Sequence, residues 1–282
     1  MEATRLTSRR IPWSTIEDDD VSIETATLDA PVLRLRNISK RFGAVTALDG
    51  VSIELNQSET VGIVGDNGAG KSTLLKIMSG AHQPDGGTFE IDGKPVHFDS
   101  PGAAREGGIE AVYQDLALVD DMNVAENMFL GREVMKPGLL GALGIIDHQS
   151  MRTQAAETIA KLRLRIPGLG EAVVRRMSGG QRQGAAIARA ILWGRRVLLL
   201  DEPTAALGVK EQGEVERMIQ DLRKNNLPMI LIAHNMPLVF RICDRIVVLR
   251  HGKVAATLRT SETSPEEVVG YITGARVLES QV

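Results

Sequence analysis

The stretch Gly65-Asp66-Asn67-Gly68-Ala69-Gly70-Lys71-Ser72-Thr73 decides the fold, because an apolar strand pattern, Val61 to Val64, runs into it and a helical pattern runs out of it. It fits G-x-x-x-x-G-K-[ST]: the glycines let backbone N–H groups approach phosphate oxygens, Lys71 reaches the β and γ oxygens, and the Ser72 hydroxyl ligates Mg²⁺. Leu74, Leu75 and Met78 then recur at helical spacing, and Gly80 supplies the left-handed residue that commonly closes a helix. The first turn of that helix aims its dipole at the anion.

Working outward, the alternation Val32, Leu33, Leu35 and the run Val51, Ile53, Leu55 predict paired strands ahead of the buried strand Thr60 to Val64. Downstream, Asp85-Gly86-Gly87 and Asp92-Gly93 punctuate a predicted hairpin of Thr88 to Ile91 with Val96 to Phe98. A strand from Gly108 to Tyr113 follows and ends at Gln114. Between Gln114 and Met177 the pattern turns helical: Ala155, Ile159, Leu162 and Ile166 are spaced 4, 3 and 4 before Pro167-Gly168 stops the helix, which predicts a helical subdomain inserted at about 114–177. Past it come a helix from Ser178, a strand Val197 to Leu200, a helix with Val215, Met218, Ile219 and Leu222, and strands Met229 to Ile232 and Ile246 to Leu249. That order predicts an α/β fold with a mostly parallel sheet, preceded by an antiparallel β subdomain. Ser264-Pro265-Glu266-Glu267 places a cap, a first-turn proline and two acids at the positive end of a final helix.

Composition narrows the class. The 282 residues carry 33 basic and 36 acidic side chains, a net charge of −3, which gives no global field for nucleic acid. Arg34, Arg36, Lys40 and Arg41 form a local basic cluster that reads as a solvated face. Cys243 is the single cysteine, which excludes an internal disulfide and points to a reducing compartment. Apolar runs such as Val197 to Leu200 are far shorter than the roughly 18 residues of a spanning helix, so a membrane role must come through a partner. Residues 1–30, with Arg9, Arg10 and the acids from Glu17 to Asp20, read as a mobile tail, 31–274 as the folded domain, and 275–282 as a short C-terminal tail.

Two further motifs carry chemistry. Val197-Leu198-Leu199-Leu200-Asp201-Glu202 describes a buried strand with two acids at its carboxyl end, where α/β sheets bind ligands. Asp201 is placed to hold Mg²⁺, and Glu202 to orient or deprotonate an attacking water. Ser178-Gly179-Gly180-Gln181 fits the capping box S-x-x-Q, and its two glycines leave bare N–H groups at a helix N-terminus, a second anion site.

The order phosphate loop, Gln114, SGGQ, LLLDEPT and His234 resembles an ATP-binding cassette (ABC) ATPase over roughly residues 32–274. The resemblance implies that ATP and Mg²⁺ are bound through residues 65–73, with Ser72, Gln114 and Asp201 on the metal. Phe42 is implied to stack on adenine, and Lys71, Gln114, Glu202 and His234 to act on the γ-phosphate and water. Ser178, Gly179, Gly180 and Gln181 are implied to close over the nucleotide of a second copy, so that one phosphate loop per chain means a homodimer. Two departures stand out: Met177 replaces the more frequent Leu, and Gly208 stands where many members carry Asp.

Glu202-Pro203-Thr204-Ala205-Ala206-Leu207, Ala233-His234-Asn235-Met236 and Gly270-Tyr271-Ile272-Thr273-Gly274 resemble single-cassette ATPase subunits of bacterial monosaccharide importers of the ribose, xylose and fructose type. This implies an integral-membrane permease docked on the helical insert, a periplasmic sugar-binding protein as an indirect partner, and a peripheral position at the cytoplasmic face of the inner membrane. The alternatives are an importer ATPase for another solute, a soluble cassette ATPase acting on ribosomes or DNA, and a non-hydrolysing binding module, against which Lys71, Glu202 and His234 are all present. The second fused cassette and long coiled coils usual in such soluble members are missing, and the balanced charge gives no nucleic-acid footprint.

Overall fold

The alternation upstream of the phosphate loop builds two long antiparallel strands, β1 (Leu33–Phe42) and β2 (Val45–Leu55), with Leu33 opposite Leu55 and Leu35 opposite Ile53. The structure, a computed structural model, describes residues 30–161, 173–194 and 196–277. The predicted tail falls almost wholly outside these residues, as do Leu162, Ile166, Pro167 and Gly168 and the last five positions. In chain order the strand β3 (Thr60–Val64), the helix α1 (Lys71–Met78), β4 (Gly86–Ile91), β5 (Lys94–Pro95), α2 (Pro101–Glu106) and β6 (Ile109–Val112) follow. Then come α3 (Val124–Phe129), α4 (Leu139–Ala142), α5 (His148–Lys161) and α6 (Gly179–Trp193). The chain continues through β7 (Val197–Asp201), α7 (Val209–Lys224), β8 (Met229–Ile232), α8 (Met236–Ile242), β9 (Arg245–Arg250), β10 (Lys253–Arg259) and α9 (Pro265–Thr273).

Two sheets result. The antiparallel sheet has the order β2-β1-β4-β5, and the second has the order β10-β9-β3-β8-β7-β6, parallel throughout except for β10 at its edge. The period-2 pattern of the parallel strands divides two cores. Val61, Ile63, Leu199, Ile230 and Ile232 pack with α1 and the antiparallel sheet, whereas Val64, Leu198, Leu200, Met229 and Leu231 pack with α5 to α8. The contact between β3 and the end of α8 is close: a Cβ on Gly62 would stand 2.9 Å from Cys243 Sγ.

One prediction needs correction. The hairpin partner of β4 is only Lys94–Pro95, and Val96 to Phe98 leave the sheet. Val96 N–H still donates to Phe89 O at 2.8 Å, but Phe98 turns inward to meet Phe89 edge-on, with ring centroids 5.3 Å apart. Aromatic packing thus overrides strand pairing there. The basic cluster on β1 is a surface, as expected, and its acid partners are now visible: Arg34 pairs with Glu54 at 2.6 Å, Arg36 with Glu90 at 3.4 Å and Lys40 with Asp85 at 2.7 Å.

Between β6 and α6 the described α-helices are α3, α4 and α5, joined by longer irregular stretches. Met151, Ala155 and Ile159 face inward from α5 at helical spacing, and α3 starts with a capping box in which Asn123 and Glu126 exchange bonds. No described helix is long and apolar enough to cross a membrane.

Candidate active site

The fully buried β3 delivers the chain to the phosphate loop, and Gly70, at φ +105, starts α1. A side chain at Gly70 would be doubly refused: that φ is strained for L-residues, and a Cβ would lie 2.7 Å from Ala47 O. Gly65 presses on Leu249 O, and Gly252 N–H donates to Ala69 O at 3.1 Å. The turn between β9 and β10 therefore buttresses the loop from behind. That support was not anticipated, because β10 has too weak an alternation to read as a strand.

Lys71 is only 6% exposed, and its Nζ donates to Gly65 O at 2.7 Å and to Asp66 O at 2.9 Å. The ammonium is thereby curled over the inner face of the loop. Burial lowers its pKa, while the negative charges of Glu202, Asp66 and Asp201 oppose that shift. Asn67, Gly68 and Ser72 are exposed at the loop and first helical turn, Thr73 is half-buried, and Ala69 is buried beneath them. Residues 65–73 thus combine a glycine-built cradle, one cation and a hydroxyl at a helix N-terminus, which fits a magnesium-bound phosphate chain.

Parallel register assembles the rest. Asp201 at the end of β7 lies opposite Ile232 at the end of β8, and Val112 of β6 lies opposite Leu200, so Gln114, Glu202 and His234 all emerge from neighbouring strand ends. Glu202 holds a left-handed backbone, φ +47, and His234 Nε2 lies 2.8 Å from its Oε1. Burial, then the charge of Glu202, raise the pKa of Asp201, and Lys71 works against them. Gln114 is exposed in the turn after β6. Phe42 is 45% exposed at the end of β1 and meets His82 edge-on with centroids 5.4 Å apart, so it is no core residue.

Ser178, Gly179, Gly180 and Gln181 form the expected N-terminus of α6. Ser178 N–H donates to Gln181 Oε1 at 3.0 Å, and Gln181 N–H to Ser178 Oγ at 3.3 Å. Sequence reasoning missed Glu211 beside them. The Gly180 N–H, the Ser178 hydroxyl and the Gly208 N–H hold its carboxyl below the usual range. Gly208 caps α7 through this same Glu211, with its N–H 3.3 Å from Oε2. A Cβ on Gly179 would come within 2.7 Å of Leu207 Cδ2, and one on Gly180 within 3.1 Å of Glu211 Cβ. The two glycines thus serve packing between the starts of α6 and α7 as well as exposing N–H groups.

Strand, phosphate loop, helix and an acidic neighbouring strand end together define a P-loop nucleotide-binding protein. Residues 48–205 match the family described as ABC transporter. The fructose import ATP-binding protein FrcA of Rhizobium meliloti is 46% identical over 248 residues, 87% of this chain and 95% of that protein. The xylose/arabinose import ATP-binding protein XylG of Sulfolobus acidocaldarius is 43% identical over 86% of this chain and 94% of its own. Among solved structures, an ATP-binding cassette of an ABC transporter in its ADP conformation aligns with a TM-score of 0.72 at 27% identity, covering 88% of this chain and 97% of that one. The chain belongs to the ABC transporter family.

Proposed function

We infer that this chain is the ATP-binding and ATP-hydrolysing subunit of an importer, powering uptake of a monosaccharide through a separate membrane permease. The observation that carries hydrolysis is the Glu202–His234 pair, 2.8 Å apart, beside the phosphate loop that holds Lys71. Sugar import is supported by near full-length relatives that carry that name. The permease is the expected docking partner of the insert at about 114–177, a periplasmic binding protein presents the sugar, and the subunit sits peripherally at the cytoplasmic face.

In this reading the phosphate loop and Lys71 hold the β- and γ-phosphates, and the exposed face of Phe42 receives adenine. Ser72, Asp201 and Gln114 would hold Mg²⁺, which would supply positive charge against the phosphates. Glu202 draws the proton from the water that attacks the γ-phosphorus. His234, whose Nε2 lies 2.8 Å from Glu202 Oε1, sits against that carboxylate. Ser178 to Gln181 of a second copy cover the far side of the nucleotide, so the working unit is a homodimer.

Glu202→Gln tests this. It keeps the shape and the acceptor for His234 but removes the base, which is worth about 10² to 10⁴ in rate. Light scattering should show an ATP-dependent dimer that ADP does not support, with phosphate release nearly stopped. Wild-type turnover in this variant would remove Glu202 from the base role. Blocked turnover with a monomer in saturating ATP would refute closure between two copies.

A further inference from the structure

Arg189 lies on α6, the helix begun by Ser178-Gly179-Gly180-Gln181, yet its guanidinium reaches off that helix to another motif. Nη1 donates to Ala117 O at 2.6 Å and Nη2 to Leu116 O at 2.7 Å. These acceptors stand just beyond Gln114, and both residues hold a left-handed backbone, with φ +57 at Leu116 and +44 at Ala117. Two successive non-glycine residues in that conformation persist only where their surroundings hold them. Within the turn, Leu116 N–H bonds to Tyr113 O at 3.0 Å and Ala117 N–H to Asp115 O at 2.7 Å. The N–H groups of Leu116 and Ala117 are thus spent locally, and their two carbonyls go to one planar fork.

That fork is specific to arginine, whose parallel N–H groups can meet neighbouring carbonyls together, whereas a lysine is a single point charge. Negative charge on Glu110 and Asp115 balances Arg189, and Arg105 opposes it. Glu110 is itself held by Arg132 at 3.2 Å, and the Arg132 guanidinium lies 4.6 Å from the centre of the Trp193 ring at the end of α6. The strand that leads into the turn is therefore linked to the end of the helix through Arg132. From Ser178 to Arg189 the helix is a rod about 16 Å long at the usual rise per residue.

We propose that Arg189 is a positioning residue that locks the turn carrying Gln114 to the helix carrying Ser178-Gly179-Gly180-Gln181, so that the two motifs move as one body. The proposal rests on the reading of Gln114 as a contact of the metal and water. When the signature helix shifts on closure over a second copy's nucleotide, the rod carries Leu116 and Ala117, and with them Gln114, by the same displacement.

The test is a double-mutant cycle on steady-state ATP hydrolysis by the full chain, with thermal melting alongside. Arg189→Met should lower kcat roughly ten- to a hundredfold while KM for Mg²⁺-ATP stays nearly unchanged, since a misplaced group costs rate more than binding. Gln114→Ala should do the same, and the double variant should be no slower than the slower single variant, because both remove one action. Arg189→Lys keeps the charge and stem but not the fork. It should melt like the wild type and still lose kcat, which separates positioning from folding. Multiplying defects, or wild-type kcat in Arg189→Lys or Arg189→Met beside an impaired Gln114→Ala, would overturn the clamp. Wild-type kcat in Gln114→Ala would instead overturn the assignment of Gln114, leaving Arg189 nothing to position.

Discussion

The phosphate loop and the segment that follows Gln114 are finished to different degrees. Around the loop the packing is closed: β3 is buried along its whole length, and Lys71 bonds to two loop carbonyls. In the later segment the short helix α4 buries no residue, and Leu139 and Leu143 are 77% and 70% exposed, with Leu140, Met135 and Ile145 beside them. Apolar side chains gathered on a surface in this way mark a contact with something outside the chain. In the proposed function the first region holds nucleotide and the second meets a partner.

The largest expected effect tests the finished region. Lys71→Ala should take ATP hydrolysis below detection by removing the cation that meets the β- and γ-phosphates. Melting should move by only a few degrees, because the loop keeps its glycine geometry and its buttress at Gly252. Near-normal hydrolysis by the folded variant would mean that the loop is not the nucleotide site.

An intermediate effect sharpens the contrast from the other side. Leu139→Asp with Leu143→Asp should leave basal ATP hydrolysis within about twofold, since exposed positions carry little folding energy. The same double variant should fail to co-purify with the permease. A complex as stable as the wild type's would move the docking surface off this apolar rim.

The smallest effect lies at the end of β3 away from the loop. Glu59 accepts from Arg245 Nε at 2.7 Å and from Asn56 N–H at 2.8 Å. Burial alone would raise its pKa, but these partners outweigh burial and leave it below the ordinary 4.5. The folded chain therefore takes up this proton less readily than the unfolded one. The stabilisation is present above the ordinary value and fades as pH falls through the depressed one. Melting curves of the wild type and Glu59→Gln should accordingly converge on acidification. A gap that widens on acidification would contradict the pairing.

How much could be read in advance followed the range of the interactions. The phosphate loop, the acidic strand end, the capping boxes at Ser178 and the cap at Ser264 are local patterns, and each lies where its residues predicted. The Asn123-x-x-Glu126 box was equally readable and was overlooked. Longer-range features left no such trace. The edge strand β10 reads Lys-Val-Ala-Ala-Thr-Leu-Arg, where paired alanines blur the alternation. Glu211 lies far along the chain from Gly180, and Arg189 far from Leu116, so only the fold reveals that they touch. His234 was expected at the phosphates, and its approach to Glu202 depends on the adjacency of β7 and β8.

Gly62 on β3 accepts the sulfur of Cys243 so closely that no side chain fits between them. Because the chain has one cysteine and burial pushes that thiol far up from its ordinary pKa, a thiol-reactive dye can reach it only when α8 parts from the strand that feeds the phosphate loop. The molecule thus carries its own stopwatch. The rate of labelling times the opening of the nucleotide strand in the unmodified protein, and a nucleotide that binds only the unopened form will slow that clock in proportion to its hold.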